Sequence, residues 1–84
     1  MAKDRTSLIA GVDAAIGGDW DTAHETAQAH QGEANADWLH AILHKIEPDP
    51  ANARYWYGRC GRSYDDYADA NEELRALRAT LDDA

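Results

Sequence analysis

Two imidazoles stand four residues apart in the stretch "WLHAILHKIE", at His40 and His44. On a helix that spacing places them one turn apart on one face, within reach of a common ion. Imidazole nitrogens suit zinc, nickel, copper and iron, so His40 and His44 are the candidate metal ligands and a transition metal is the candidate cofactor. On a wheel of 100° per residue, Asp37, His40, His44 and Glu47 share the side opposite the apolar stripe. A carboxylate there would add an oxygen ligand, or would orient a histidine as a general base. A solvated polar face, or one packed against a neighbouring helix, would carry the same residues. The spacing alone leaves these readings open. The glutamate of the HExxH motif is missing, because Ala41 follows His40.

His24 follows Trp20 by one helical turn and borders the small-residue stripe of Ala23 and Ala27. It would bond a carbonyl or a tyrosine, or turn towards the third helix as a further ligand. His30 falls near a helix C-terminus, where the helix dipole favours its protonated form.

A second group of reactive types follows in "PDPANARYWYGR". Tyr55, Trp56 and Tyr57 cannot all face one way on a helix. Trp56 and Tyr57 fit the core stripe with Ala53 and Cys60, whereas Tyr55 falls with Arg59 and Arg62. Tyr55 and Arg59 are spaced for a cation–π contact. One reading is a pocket for a small anion. The other is that the arginines answer the surrounding acid. Cys60 reads as a small core residue, since no histidine adjoins it and a helix C-terminus has the wrong dipole sign for a thiolate.

The elements that must position these groups are helical. The 84 residues suit one small domain, spanning 1–84 with 1–6 and 82–84 expected to fray. Ser7 is the expected cap of a first helix carrying Leu8, Ile9, Val12 and Ile16, stopped by Gly17 and Gly18. Asp19 caps a second helix, closed by Gly32. A third begins at Asn35 or Asp37 and carries Trp38, Leu39, Ile42, Leu43 and Ile46, the broadest apolar stripe of the chain. Pro48 ends it. Asp49 and Pro50 start a fourth as N-cap and first helical residue, and Gly61 closes that helix. Ser63 is the expected cap of the last, where Tyr67, Ala70, Leu74, Leu77 and Leu81 follow a heptad. The sequence therefore predicts an all-α fold of five short antiparallel helices in a compact helical-hairpin array.

Composition removes several functions. Eight basic against sixteen acidic residues give a net charge of −8, which opposes binding to duplex nucleic acid. The basic residues gather between Pro50 and Tyr64, where three arginines meet no carboxylate. A single cysteine excludes an intrachain disulfide, and no apolar run approaches the ~18 residues of a membrane span. With no signal-peptide pattern at the N-terminus, the expectation is a cytoplasmic, soluble protein.

Trp38, His40, His44, Glu47, Asp49, Asn52, Ala53, Tyr55, Trp56 and Tyr57 together resemble a family of small uncharacterised bacterial helical proteins with the pattern W-x-H-x3-H-x2-E-x-D-x2-NA-x-YWY. Pro48 and Gly58 stand where that pattern carries glycine and arginine. "PDPANARYWYGR" also resembles the opening of a tetratricopeptide repeat, and "GGDWDTAHETA" its turn and second helix. The internal echo between Gly17 and Gly61, at an offset of 44 residues, does not match the 34 of that repeat. The resemblance implies a shared helical module. It raises the weight of His40, His44 and Tyr55, and assigns no activity.

These readings converge on a binding or adaptor module rather than an enzyme. Its expected surface is a polar cleft between helices three and four, formed by His24, His40, His44, Glu47, Tyr55 and Arg59, and its expected partner is a protein or a small anion. The alternative is a metal-dependent or histidine-based enzyme using His24, His40 and His44. A third expectation is a homodimer paired through the C-terminal heptad.

Overall fold

A computed structural model describes residues 2–83, which form five α-helices and, among the described residues, no strand. They are α1 (Ala2–Ile16), α2 (Trp20–Ala29), α3 (Ala34–Ile46), α4 (Pro50–Cys60) and α5 (Ala70–Asp83). None is long and apolar enough to cross a membrane. The radius of gyration of 11.2 Å is close to the roughly 12 Å expected of a single compact domain of this length.

The capping chemistry explains most boundaries. The Asp19 carboxylate accepts from the Thr22 N–H at 3.2 Å and opens α2. The Asp49 carboxylate accepts from the Asn52 N–H at 3.4 Å, with Pro50 as the first residue of α4. Gly61 ends α4 in the left-handed region at φ 76°, which a residue without Cβ adopts readily.

Two expected starts are corrected. The first helix begins at Ala2, well before Ser7, because no glycine or proline interrupts the segment upstream. Residues 5, 6, 82 and 83 lie within helices, whereas positions 1 and 84 of the expected frayed ends lie outside the described residues. The last helix begins at Ala70, not after Ser63. The Lys45 ammonium donates to the carbonyls of Tyr64 (2.8 Å) and Tyr67 (2.6 Å), drawing both away from helical pairing. The capping role passes to Asp69, whose carboxylate accepts from the Asn71 N–H at 2.9 Å.

α3 is the central element and packs against all four other helices, most extensively against α4. Every residue from Ala36 to His44 is buried. Leu8 and Val12 of α1, Ala23 and Ala27 of α2, Ala53, Trp56 and Tyr57 of α4, and Leu74, Leu77 and Leu81 of α5 complete the core. The heptad leucines of α5 are thus buried within the domain, where α5 meets α1 and α3.

Polar side chains on so enclosed a helix need partners within the protein. Glu73 of α5, itself fully buried, supplies several. One oxygen accepts from the Trp38 indole N–H (2.8 Å) and the Tyr57 hydroxyl (2.7 Å). The other accepts from Lys45 at 3.0 Å. Burial of the phenol, followed by its bond to the Glu73 carboxylate, pushes the Tyr57 pKa well above its ordinary value. This network ties α3, α4 and α5 together and holds the α4–α5 connection through Lys45.

Glu73→Ala should destabilise the domain by about 3–5 kcal/mol in urea unfolding, because it strands a buried ammonium, an indole and a phenol. The paired change Lys45→Met/Glu73→Leu should cost less than Glu73→Ala alone. Gly11 lies where a Cβ would stand 2.7 Å from Thr26 Cγ2, so α1 and α2 approach through it. Gly11→Val should therefore lose about 1–3 kcal/mol in the same assay.

Candidate metal centre

The second polar cluster on α3 is built differently. His40 and His44 project from successive turns, and the covering element is α2. Trp20, the first residue of α2, donates its indole N–H to the Leu43 carbonyl at 2.8 Å. That bond seats the start of α2 on the second half of α3. Ala23 and Ala27 have no exposed surface, and such small side chains let α2 lie close. His24, one turn after Trp20, then falls against the α3 pair.

The three rings form a nearly equilateral triangle. Their centroids are 4.8 Å apart for His24–His40, 5.3 Å for His24–His44 and 4.9 Å for His40–His44. One nitrogen from each lies within 4.8 Å of the other two. Tetrahedral zinc with Zn–N bonds of about 2.0–2.1 Å would place its nitrogens about 3.3 Å apart. An ion held by all three would require the nitrogens to close from that separation to this one. Indole rings flank the triangle. Trp20 stacks on His24 at 4.6 Å, and Trp56 stacks on His40 at 3.9 Å.

The hydrogen bonding is uneven. His44 Nδ1 lies 2.7 Å from Glu47 Oε1. An ionised carboxylate can only accept, so in the neutral ring this contact places the proton on Nδ1 and leaves the Nε2 lone pair for another partner. This is the carboxylate–histidine arrangement that orients ligands in metal sites. His40 is 3 % exposed, yet its Nδ1 is buried with no hydrogen-bond partner. Burial, followed by the neighbouring His24 and His44, lowers the His40 pKa to about 4. Burial and His44 lower that of His24 too, against the opposing pull of Glu47 and Asp21. Neutral imidazoles are the form that binds metal.

His24, His40, His44 and Glu47 therefore come together, but Tyr55 and Arg59 form a separate pair. Tyr55 is more than half exposed, and its hydroxyl accepts from the Arg59 guanidinium at 3.1 Å. Both touch Trp56, whose ring also stacks on His40. Neither reaches an imidazole, so the expected single cleft is divided at Trp56. Asp37, expected beside the histidines on a polar face, is buried and accepts from the Gly32 N–H at 3.1 Å. The other arginines of the basic stretch face aromatic rings. Arg62 lies 3.5 Å from the Trp38 ring centre and Arg54 lies 4.5 Å from that of Tyr64.

The remaining reactive groups have local explanations. His30 pairs with Glu33 at 3.2 Å. The Cys60 thiol donates to the Tyr57 carbonyl at 3.5 Å, and burial raises its pKa, which suits a packed thiol. A second cluster of His44, Glu47 and Asp49 is close enough to share an ion. Its carboxylates already orient His44 and cap α4.

Lys45 and Glu73 escaped the reading of sequence. Glu73 carried a usable signal, since it lies one turn before Leu77 on the apolar face of α5, where an acid requires a partner. Trp20 was legible as an anchor, but the acceptor for its N–H was not.

No protein-family model matches the chain, and no curated protein or solved structure matches it.

In metal-free protein the depressed His40 pKa makes stability depend on pH. The unfolded chain takes up the proton near the ordinary value of 6.5, and the folded chain only near 4. Stability from the neutral ring is complete above the unfolded value and is lost as pH falls towards the folded one. Urea unfolding in the presence of a chelator should show a loss of about 2–3 kcal/mol between pH 7 and 4.5. His40→Leu should flatten that slope, leaving the smaller part due to His24.

Proposed function

We propose that this chain is a small helical metal-binding module in which His24, His40 and His44 hold one divalent first-row transition ion, with zinc, nickel, copper and cobalt as the candidates. One observation carries the reading: three imidazoles each bring a ring nitrogen within 4.8 Å of the others, and one of the three, His40, is buried with its Nδ1 unpartnered. An unpaired buried polar atom costs about 1–3 kcal/mol, and a bond to a metal would offset that cost. Three histidines side by side would repel one another if protonated, so a shared cation is the partner that suits all three lone pairs at once. Glu47 supports the reading as the residue that sets the His44 tautomer. The ion would join α2 to α3 and so contribute to folding stability as well as binding.

Calorimetric titration with zinc and with nickel should give one equivalent per chain, accompanied by a raised unfolding midpoint. His40→Ala/His44→Ala should abolish both effects. His24→Ala, which changes a partly exposed ring, should do so with less disturbance of the fold. Glu47→Gln should weaken binding by about 10–100-fold while retaining the stoichiometry. Tyr55→Ala and Arg59→Ala should leave metal affinity unchanged and stability within about 0.5 kcal/mol. A folded wild-type chain that takes up no metal and shows no shift in midpoint would remove the proposal.

A further inference from the structure

The donor set is incomplete for a four-coordinate ion. Among the described residues, no fourth histidine, cysteine or carboxylate joins the group formed by His24, His40 and His44. Glu47, the carboxylate in contact with the triangle, is engaged with His44 Nδ1. Structural zinc sites are usually closed by four protein ligands, whereas three protein ligands leave a position for a solvent molecule or substrate.

The surroundings locate that position. Trp56 stacks on His40, and Trp20 stacks on His24 and meets His44 edge-on at 5.9 Å. His40 and His44 are buried, and His24 is the one ligand of the three with appreciable contact with solvent. Access from outside is therefore beside His24 on α2. Two acids border that side. Asp21 precedes His24 by three residues, which places it on the neighbouring helical face, and Glu47 lies at His44. Both carboxylates also act on the His24 imidazole through space. The two carboxylates offset the charge of a divalent ion held by neutral imidazoles, so an anion gains little net attraction there and a neutral donor loses nothing.

Building on the three-histidine centre, we propose that the bound ion keeps its fourth coordination position open to solvent beside His24, and that this position takes small uncharged nitrogen or oxygen donors in preference to anions. Water occupies it at rest. The acid rim acts as a charge filter, so the module suits a neutral ligand, such as an imidazole from a partner or a small amine in its free-base form.

Cobalt(II) provides a visible reporter of the fourth ligand. The protein is loaded with one equivalent of cobalt and titrated separately with imidazole and with sodium azide at constant ionic strength, while retained cobalt is measured after ultrafiltration. Imidazole should shift the ligand-field bands with cobalt retained, and azide should bind at least about tenfold more weakly. Asp21→Asn should retain the cobalt, strengthen azide binding several-fold and leave the imidazole titration unchanged. Bands unmoved by either probe would show a closed coordination sphere and overturn the proposal. Loss of cobalt to imidazole would do the same. Azide binding as tight as imidazole, or insensitive to Asp21→Asn, would overturn the charge filter. Failure to load cobalt, zinc or nickel at all would instead remove the three-histidine centre on which the proposal rests.

Discussion

The enclosure of α3 governs the rest of the molecule. A helix buried from Ala36 to His44 must place every polar side chain it carries against a partner inside the protein. Trp38 and Lys45 find theirs in Glu73, Asp37 finds the Gly32 amide, and His44 finds Glu47. Among the described residues, His40 Nδ1 is the buried side-chain nitrogen left without a partner. Both the fold and the candidate centre follow from how each of these demands is met or left open.

The two polar systems of α3 are answered in different ways. On the α5 side, a charged carboxylate gathers an ammonium, an indole and a phenol, so donors and acceptor complete one another without outside help. Removing one member exposes the others, which gives the network its structural weight. On the α2 side, the participants are three imidazoles whose hydrogen-bonding needs are not all met within the cluster. They keep lone pairs available in a confined space, and burial lowers the proton affinity of His24 and His40. A satisfied cluster specifies a fold, whereas an unsatisfied one is a place where an external cation can be accommodated.

Trp20 and Trp56 connect these arrangements to the helices that carry them. The Trp20 indole seats α2 through the Leu43 carbonyl while its ring stacks on His24. Trp56 brings α4 against His40 and turns Tyr55 and Arg59 outward. The histidine triangle is therefore held by aromatic packing from two helices, and its geometry does not rely on a mobile loop.

Local chemistry was legible in the sequence. The all-α class, the five helices, the caps at Asp19 and Asp49, the stop at Gly61, and the strength of α3 follow from short-range rules acting within a few residues. The i, i+4 pairing of His40 and His44 belongs to the same category. Tertiary structure decided what lies across from each face. It turned the expected polar face of α3 into an interior surface, brought His24 from α2 to complete the triangle, and placed Trp56 where the cleft had been expected to run on to Tyr55. It also delayed α5 to Ala70, because the distant Lys45 ammonium claims the Tyr64 and Tyr67 carbonyls. Spacing along one helix determines which side chains travel together. Which of them meet a second helix depends on packing between segments far apart in the chain, and that is settled only when the whole core closes.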